Sequence, residues 1–582
     1  MSSAAAAPLP TVNTPLLRPA IQVHSQSQTR LSHRARRRDH RRSKRTFLAN
    51  ILPASIALIL LLAFAFIAYD VSSLGDCVTP LCRALGGDKG LEDIWWRNQG
   101  PYAPFRSLGK FGAQKGLPRG CEVDQVTVLH RHTARYPTSS AGQCILRSLS
   151  KLKHREVRLP RGPHELAFLA KTDLDLRDWE FDGLMDQGRK QAWVSGRKIR
   201  EIYAKFLRSA KVFTRSSGGG RVVETSGYWL EGFNGQRFKL KDKTRLPLVD
   251  VVIPEGETAN NTLSVHTCPA FNALDPTPGN VHRATLSQQL QPTITRLNEA
   301  LRPQPPLEVD DLLCLADMCG YDSQASGQDW NGWSKWCGVF TPQEWEILGY
   351  GKDLSRWYDV GQGGRYGPTM GAGYVNELIA RLTDSEVVDT TITNRTINSD
   401  ENLFPRGGKR LFVDFGHDNE MLEVLAAMGV KHQRRDLPSD HVPTKRTFIV
   451  SEIVPFGGKI TFERVACDTG NWEPDPDVPE GDHDNHDQPH EDRDHRNRGR
   501  YATLVGVSDG GRRGRDGKKD YVRILVNDKV ELVDHEACRY SGLIEHGLCE
   551  MEAFVESQRF ATTDVDWNIC YEHEKEGREG SD

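Results

Sequence analysis

The sequence predicts an α/β fold, because two short apolar runs of strand character each lead through a polar turn into a segment of helical character. The first unit covers residues 126–150 and the second residues 411–428. Helical segments around residues 187–207 and 369–382 are consistent with helices that flank a sheet. Ligands of such folds bind at the carboxyl ends of the strands, so the two turns are the predicted functional positions. The periodicity alone does not determine the topology.

The first turn carries residues suited to binding phosphate. Residues 126–130 have strand character, and Arg131, His132 and Arg135 follow them directly. An arginine offers a planar fork of donors that matches phosphate oxygens, and it stays charged when it is buried. A neutral histidine ring is nucleophilic near physiological pH and can attack phosphorus. The alternative interpretation is a basic surface cluster. Residues 138–140 can cap the helix that follows.

The second turn holds His417 and Asp418. Residues 411–415 are predicted to form a strand, and residues 420–428 a helix that buries Met421, Leu422 and Leu425. Backbone donors and the helix dipole favour an anion at such a strand-to-helix turn. A carboxyl group at this position can also protonate a departing alcohol. The alternative interpretation is an ordinary turn or helix cap.

These segments resemble the signature motifs of the histidine acid phosphatases, and specifically those of their fungal phytase-like branch. The motifs occur in the family's order over roughly residues 95 to 570: YAPF (102–105), RHTARYPTSS (131–140), TRSS (214–217), YGPT (366–369), NELIARL (376–382), HDN (417–419) and VRILVND (522–528). The resemblance implies a mixed central sheet with flanking helices, of the phosphoglycerate-mutase-like type, and a helical subdomain inserted between its strands.

The resemblance also implies a role for each site residue. His132 would be the nucleophile that forms a phosphohistidine, and Asp418 the general acid. The phosphate would be held by arginines and a histidine, and the substrate by two further side chains: Arg131, Arg135, Arg215 and His417 for phosphate, Asn419 and Tyr102 for substrate. Three cations suit a transition state whose charge spreads over three equatorial oxygens. For Arg215 alone, a surface ion pair is the alternative. The chemistry implies no metal and no cofactor.

Two departures from the family pattern bear on substrate and activity. The family's usual glycine after the nucleophile is Thr133 here, which would be unfavourable if the position needs positive φ or a close backbone approach. Ala141 and Gln143 stand where family phytases often carry lysines that hold a polyphosphorylated ring. We therefore expect acid phosphatase activity without tight phytate specificity. A catalytically weakened phosphate-binding or cell-surface protein of the same fold is the alternative function.

The N-terminal region predicts a membrane anchor. Residues 47–69 contain no charged side chain and are long enough to span a bilayer, and the preceding residues 34–45 are rich in arginine. The positive-inside rule then places the N-terminus in the cytosol and the rest of the chain on the lumenal or outer side. A cleaved signal peptide is the alternative for the apolar segment. The basic run is expected to contact lipid headgroups rather than nucleic acid, and the net charge of −2 provides no global field for nucleic acid.

Cysteine usage indicates an oxidising compartment, because all 12 cysteines follow the predicted span. The spacings favour disulfides over reduced cysteines or a metal site. Family resemblance implies five pairs: Cys77–Cys82, Cys121–Cys467, Cys268–Cys570, Cys319–Cys337 and Cys538–Cys549. It leaves the pairing of Cys144 and Cys314 open. Asn260 and Asn394 begin sequons in polar, turn-like surroundings and are predicted to carry glycans.

The predicted organisation has four parts. Residues 1–46 form a disordered basic cytosolic tail, residues 47–69 the transmembrane signal anchor, residues 70–100 a stalk, and residues 101–582 the phosphatase domain. Residues 468–520 within that domain are rich in histidine and charged side chains and poor in apolar ones, so a disordered insertion is expected. Weak uptake of divalent metal is the alternative for this insertion.

Overall fold

A computed structural model describes residues 90–109, 116–159, 165–170, 176, 179–256, 259–264, 268–326, 333–468, 518–539 and 543–572. The chain divides into a unit of residues 1–87 and a unit of residues 88–582, and every described residue belongs to the second. Within these ranges, no helix combines the length and apolar composition that a bilayer crossing requires. The predicted cytosolic tail, the membrane anchor, most of the stalk and residues 469–517 of the insertion lie outside the described residues.

A mixed β-sheet forms the centre of the described domain. Its strands are β1 (Cys121–Arg131), β2 (Lys211–Ser217), β3 (Val251–Ile253), β4 (Arg410–Gly416), β5 (Lys459–Cys467), β6 (Lys519–Val526), β7 (Lys529–Glu531) and β8 (Leu548–Glu550). They follow the order β3-β2-β4-β1-β5-β6-β7, and β8 also pairs with β6. The first four strands in this order are parallel, and the remaining pairs are antiparallel. The predicted mixed sheet is thereby confirmed.

Helices connect the strands and cover the sheet. The longer ones are α1 (Ser139–Lys153), α2 (Asp186–Ile202), α3 (Gly220–Phe233), α4 (Pro278–Ser287), α5 (Gln291–Leu301), α6 (Val309–Ala325), α7 (Pro342–Asp359), α8 (Gly367–Thr383), α9 (Asp418–Met428) and α10 (Met551–Ser557). Thr138 caps α1 by accepting a hydrogen bond from the Ala141 backbone N–H, as predicted. Gly429 ends α9 with φ of 66°, a conformation that favours glycine.

The two faces of the sheet bury different sets of side chains, because successive side chains of a strand point to opposite faces. Leu129 of β1 packs in an apolar cluster with α8 and α9, whereas its neighbour Val128 packs in a cluster with α2 and α3. Met421, Leu422 and Leu425 of α9 are all buried in the first cluster, as predicted. The strand-to-helix turns therefore rest on a packed core.

A third apolar cluster joins helices that lie between β3 and β4 in the chain to the segment after β1. It includes Leu297 of α5, Leu315 of α6 and Trp345 of α7, together with Ile145 and Leu149 of α1. Helices are thus present between strands of the sheet, where the insertion was predicted. The packing brings α6 and α7 next to the chain that leaves β1.

Disulfides connect distant parts of the described domain. The predicted pairs Cys121–Cys467, Cys268–Cys570, Cys319–Cys337 and Cys538–Cys549 are confirmed. A fifth disulfide, Cys144–Cys314, links α1 to α6 and answers the question that the sequence left open. The predicted Cys77–Cys82 pair lies outside the described residues.

Candidate active site

The site forms where β1 and β4 end side by side. The strands are parallel, and Arg131 is in register with Gly416. His132 follows the first strand and His417 the second, so the two predicted turns meet. The backbone N–H of His132 donates to the Gly416 carbonyl over 3.0 Å, and the centres of the two imidazole rings are 5.5 Å apart. The pairing of two segments distant in the chain thus builds one site.

His132 is held in the tautomer that a nucleophile needs. Its Nδ1 lies 2.9 Å from the Thr133 carbonyl oxygen. A carbonyl can only accept, so Nδ1 carries the proton of the neutral ring and Nε2 keeps its lone pair. Burial, reinforced by Arg131 and Arg135, lowers the pKa of His132 well below its usual 6.5. Burial and the neighbouring cations therefore favour the neutral, nucleophilic form of the ring.

Arg131 and Arg135 both lie at the site, as predicted. The Arg131 Nη1 donates to the Pro101 carbonyl and, over 2.8 Å, to the Val454 carbonyl. The Nε atoms of both arginines have no hydrogen-bond acceptor among the described residues. Burial lowers the pKa of Arg131 to about 10, so the group is still cationic at any acidic or neutral pH. Both guanidiniums also lie over the ring of Phe456, at 4.7 and 5.9 Å.

Arg215 does not join this pair, and the prediction that it binds the phosphate is wrong in this structure. Its Nε donates to Asp414 over 2.9 Å, and its Nη2 donates to Glu377 over 2.8 Å and to Asp414 over 3.1 Å. Arg381 donates to the same Asp414 over 2.7 Å. These side chains form a buried ion network within the core. The surface ion pair that was the alternative is also excluded, since Arg215 is fully buried.

Arg221 occupies the position that the sequence assigned to Arg215. It lies in the first turn of α3, and its Nη2 donates to Nδ1 of His417 over 3.2 Å. Its charge also contributes to lowering the pKa of His132. The Nε of Arg221 has no acceptor among the described residues. The available signal was its place after residues 218–220, a glycine run that allows a helix to begin close to an anion.

Glu255, which the sequence did not indicate, orients His417. Because Arg221 donates to Nδ1 of His417, Nε2 carries the ring proton and donates to Glu255 Oε1 over 2.8 Å. The same oxygen accepts from Ser217 Oγ over 2.7 Å and from the Gly219 backbone N–H over 2.9 Å. Burial opposes ionisation of Glu255, but His417, Ser217 and Gly219 together lower its pKa to about 2. The carboxylate is therefore charged at working pH and fixes the imidazole.

Asp418 is the first residue of α9 and lies between two arginines. Its Oδ2 is 3.5 Å from Nη2 of Arg131 and 3.5 Å from Nη2 of Arg356. Burial opposes its ionisation, but Arg131, Arg356 and Arg135 hold its pKa below the usual range. Arg356 comes from α7, and no sequence pattern identified it. Asp418 is accordingly a carboxylate in the substrate-free site.

Tyr102 and Asn419 border the same region. The ring of Tyr102 lies 4.7 Å from that of Tyr321 and 6.1 Å from that of Phe456. Tyr102 also lines a cleft that includes three cationic side chains and one carboxylate: Arg283, Lys352 and Arg356 with Asp317. The Oδ1 atom of Asn419 has no hydrogen-bond donor among the described residues. The contact of both residues with substrate stays a prediction.

Thr133 is accommodated without the strain that its Cβ suggested. It is absent from the described non-glycine residues with positive φ, so the backbone at this position does not require glycine for its φ. Its backbone N–H donates to Thr225 Oγ1 over 3.3 Å, and the two hydroxyl oxygens are 3.4 Å apart. The nearest turn instead uses Gly457, with φ of 70°, against the methyl group of Thr133.

Asn260 and Asn394 lie next to each other in space. The Nδ2 of Asn394 donates to the Asn260 carbonyl over 3.3 Å, and Asn260 Nδ2 donates to the Thr393 carbonyl over 3.3 Å. Asn260 is exposed and Asn394 half-buried. Glycosylation at these positions remains a prediction.

Comparison with known proteins agrees with this geometry. The family model described as the histidine phosphatase superfamily (branch 2) matches residues 122–497. The chain is 31% identical over 480 residues to phytase A of Aspergillus fumigatus, covering 81% of this chain and 90% of that protein. It is 30% identical over 488 residues to phytase A of Emericella nidulans, covering 83% and 91%. The crystal structure of the phytase from D. castellii aligns over 86% of this chain and 91% of its own length, with a TM-score of 0.60 and 19% identity, which shows a shared fold.

Proposed function

The chain belongs to the histidine phosphatase superfamily, branch 2, and from that premise we propose that it hydrolyses phosphate monoesters through a phosphohistidine on His132. Its relatives establish it as a hydrolase of the acid phosphatase and phytase type. The observation that carries the proposed mechanism is the hydrogen bond from Nδ1 of His132 to the Thr133 carbonyl. That bond leaves the Nε2 lone pair beside buried arginine donors.

In the first step, Nε2 of His132 attacks phosphorus while the bond from phosphorus to the ester oxygen breaks. The unpartnered Nε atoms of Arg131, Arg135 and Arg221 are available as donors to the phosphoryl oxygens. Preorganised cations of this kind stabilise charge that develops in the transition state. The leaving oxygen takes a proton from Asp418. In the second step, water attacks the phosphohistidine, returns a proton to Asp418 and releases phosphate.

The acid role of Asp418 requires that its proton affinity rise when substrate binds. Arg131, Arg356 and Arg135 hold its pKa low in the free site. A phosphate group placed among these cations compensates their charge and raises the pKa of the carboxyl group. The proton is therefore held at Asp418 only with substrate bound.

We propose that the substrates are diverse phosphate monoesters, with phytate accepted but not strongly preferred. Arg283, Lys352 and Arg356 can meet further anionic groups of a substrate, but Lys352 is already paired with Asp317 over 2.8 Å. Ala141 and Gln143 add no charge where family phytases often carry lysine. Each exposed charge pair is worth only about 0–1 kcal/mol, so the loss of preference is cumulative and modest. A kcat/KM for phytate a hundredfold above that for an aryl phosphate would contradict this proposal.

The alternative of a catalytically weakened phosphate-binding or cell-surface protein was motivated by Thr133 and by the changed residues after the signature, Ala141 and Gln143. The first motive is weakened, because Thr133 is not among the described non-glycine residues with positive φ. The orientation of His132 by the Thr133 carbonyl favours an active enzyme.

We also propose a location, from the sequence alone. The apolar residues 47–69, the preceding arginines and the two sequons support a single-pass type II membrane glycoprotein with its catalytic domain lumenal or extracellular. Protease added to sealed vesicles should spare a lumenal catalytic domain, and glycosidase should change its mobility. A catalytic domain without glycan and accessible on the cytosolic side would reverse this topology.

The experiment that tests the mechanism uses His132→Ala. Turnover of an aryl phosphate should be abolished while the melting temperature stays close to that of the wild type, because little core volume is lost. Rapid acid quench of the wild type with labelled substrate should trap phosphate on histidine. Label on a serine, or full activity of the variant, would refute the proposed nucleophile.

A further inference from the structure

The second residue of the turn after β1 makes contacts that the mechanism has not used. Thr133 and Thr225 are both fully buried, the first next to the nucleophile and the second in α3. The Thr133 backbone N–H lies 3.3 Å and its hydroxyl 3.4 Å from the same atom, Oγ1 of Thr225. Two groups of Thr133 therefore contact the hydroxyl oxygen of a buried threonine that lies 92 residues away in the chain.

The direction of these hydrogen bonds follows from the donors present. Thr225 Oγ1 lies 2.8 Å from the Arg221 carbonyl, which can only accept, so the single hydroxyl proton of Thr225 is used there. Between the two hydroxyl groups, Thr133 must then be the donor. Thr225 Oγ1 accepts from both the N–H and the hydroxyl of Thr133. The Thr225 hydroxyl therefore has one acceptor for its proton and two donors to its oxygen.

Each end of the pair continues into the catalytic groups. The Thr133 carbonyl accepts from Nδ1 of His132 and so determines which nitrogen of the nucleophile is free. At the other end, Arg221 donates to Nδ1 of His417. The peptide that orients the nucleophile is therefore tied to the helical turn that carries the cation facing it.

We propose that the Thr133–Thr225 pair is a positioning device that fixes His132 relative to Arg221 and His417. This inference rests on the proposed phosphohistidine mechanism. Neither threonine touches the reacting atoms, and each acts through a catalytic neighbour. A displacement on the order of 1 Å between reacting groups can cost about 10²-fold in rate, so a loss of this tie should lower kcat rather than raise KM.

The test compares Thr225→Val, which removes the hydroxyl at nearly constant volume, with Thr225→Ser, which keeps it. Thr127→Val is the matched control, because Thr127 is a fully buried threonine of β1 whose hydroxyl has no partner among the described residues. Single-turnover formation of the phosphoenzyme is measured by acid quench, together with kcat, KM and the melting temperature. We expect Thr225→Val to slow phosphoenzyme formation by roughly tenfold to a hundredfold with KM within about twofold. Thr225→Ser should restore the rate, and Thr127→Val should match the wild type.

A second pair of variants covers the case in which Thr225→Val does not fold. Thr133→Val removes the hydroxyl donor from the other side, and Thr133→Ser restores it. Thr133→Val keeps the backbone N–H that donates to Thr225 Oγ1, so it should slow phosphoenzyme formation less than Thr225→Val. Combining the two substitutions should add little to Thr225→Val alone, because Thr225→Val already removes both hydrogen bonds.

The inference is overturned if Thr225→Val forms phosphoenzyme as fast as Thr127→Val, or if the effects of the two valine substitutions are additive. The wild-type control separates this failure from failure of the mechanism. A wild type that yields no phosphohistidine would refute the proposed function itself, whereas a labelled wild type with an unaffected Thr225→Val refutes only the positioning role.

Discussion

Two groups of buried and half-buried arginines lie along the same sheet and differ in how their charge is compensated. In the core group, Arg215 and Arg381 share Asp414, and Arg215 also pairs with Glu377. In the site group, four arginines have three carboxylates nearby: Arg131, Arg135, Arg221 and Arg356 with Asp418, Glu255 and Asp182. The core group is neutral overall, and the site group has an excess of positive charge.

The difference shows how burial alone fails to distinguish a structural arginine from a functional one. A buried charge is costly unless it is paired, so the core group satisfies its own electrostatics and holds β2, β4 and α8 together. Both groups leave some guanidinium nitrogens without a hydrogen-bond partner among the described residues, but only the site group has more arginines than carboxylates, and it lowers the pKa of His132. Such an excess is compensated when an anion binds. The surplus of buried cations therefore identifies the phosphate position.

Substituting one arginine of each group tests whether the core arginines stabilise the fold and the site arginines serve catalysis. Arg215→Met leaves Asp414 and Glu377 with less compensation and should cost about 3–5 kcal/mol of unfolding free energy. Arg221→Met should change stability little, because it relieves repulsion among cations, yet lower kcat by about 10²–10³-fold. Urea unfolding and steady-state kinetics measure the two effects. Equal losses of stability in both variants would mean that the two groups do not differ as described.

Asp418→Asn tests the carboxylate that the site group surrounds. Hydrolysis of alkyl phosphates should fall by about 10²–10⁴-fold, whereas activated aryl phosphates should lose far less, because only a poor leaving group needs the proton. The measurement is kcat/KM over a series of esters that differ in the pKa of the leaving alcohol. Uniform losses across the series would contradict the acid role.

Glu255→Gln tests, through the pH dependence of stability, how much a carboxylate of the site group stabilises the fold. The folded-state pKa of Glu255 is about 2, below its usual 4.5, so its contribution to stability is present above pH 4.5 and is lost as pH falls toward 2. At about 1.4 kcal/mol per pKa unit, that contribution is at most about 3.5 kcal/mol, and solvent screening of this partly exposed group reduces it. The difference in unfolding free energy between wild type and variant should therefore shrink below pH 4.5. A difference that stays constant down to pH 2 would show that the carboxylate adds no ionic stabilisation.

The smallest effect is expected for Arg356→Met at the edge of the site group. Its side chain is 26% exposed, so solvent screens its charge. We expect KM to rise by less than about tenfold, and more for a polyphosphorylated substrate than for an aryl phosphate. Arg365→Met, whose side chain is 60% exposed and pairs with Glu572, is the control. Equal changes in KM for both substrates would assign Arg356 to the reacting phosphate alone.

The sequence determined the parts of this protein that depend on contiguous residues. Strand character before residues 131 and 417 predicted β1 and β4, and the motifs after them placed Arg131, His132 and Arg135 in one turn and Asp418 in another. That the two turns form one site was implied by the family resemblance. These inferences succeed because a strand end and its following turn hold neighbouring residues together whatever the rest of the fold does.

Which distant side chains complete the active site depends on the tertiary structure. Arg215 and Arg221 are six residues apart in the chain, and the distinction depends on whether Asp414 and Glu377, from β4 and α8, are in reach. Glu255, Arg356 and the Cys144–Cys314 disulfide likewise come from segments whose proximity no local pattern encodes. Thr133 likewise depends on a distant residue, because its backbone N–H and hydroxyl contact Thr225. Packing rather than residue type determines whether a buried Cβ and hydroxyl are accommodated.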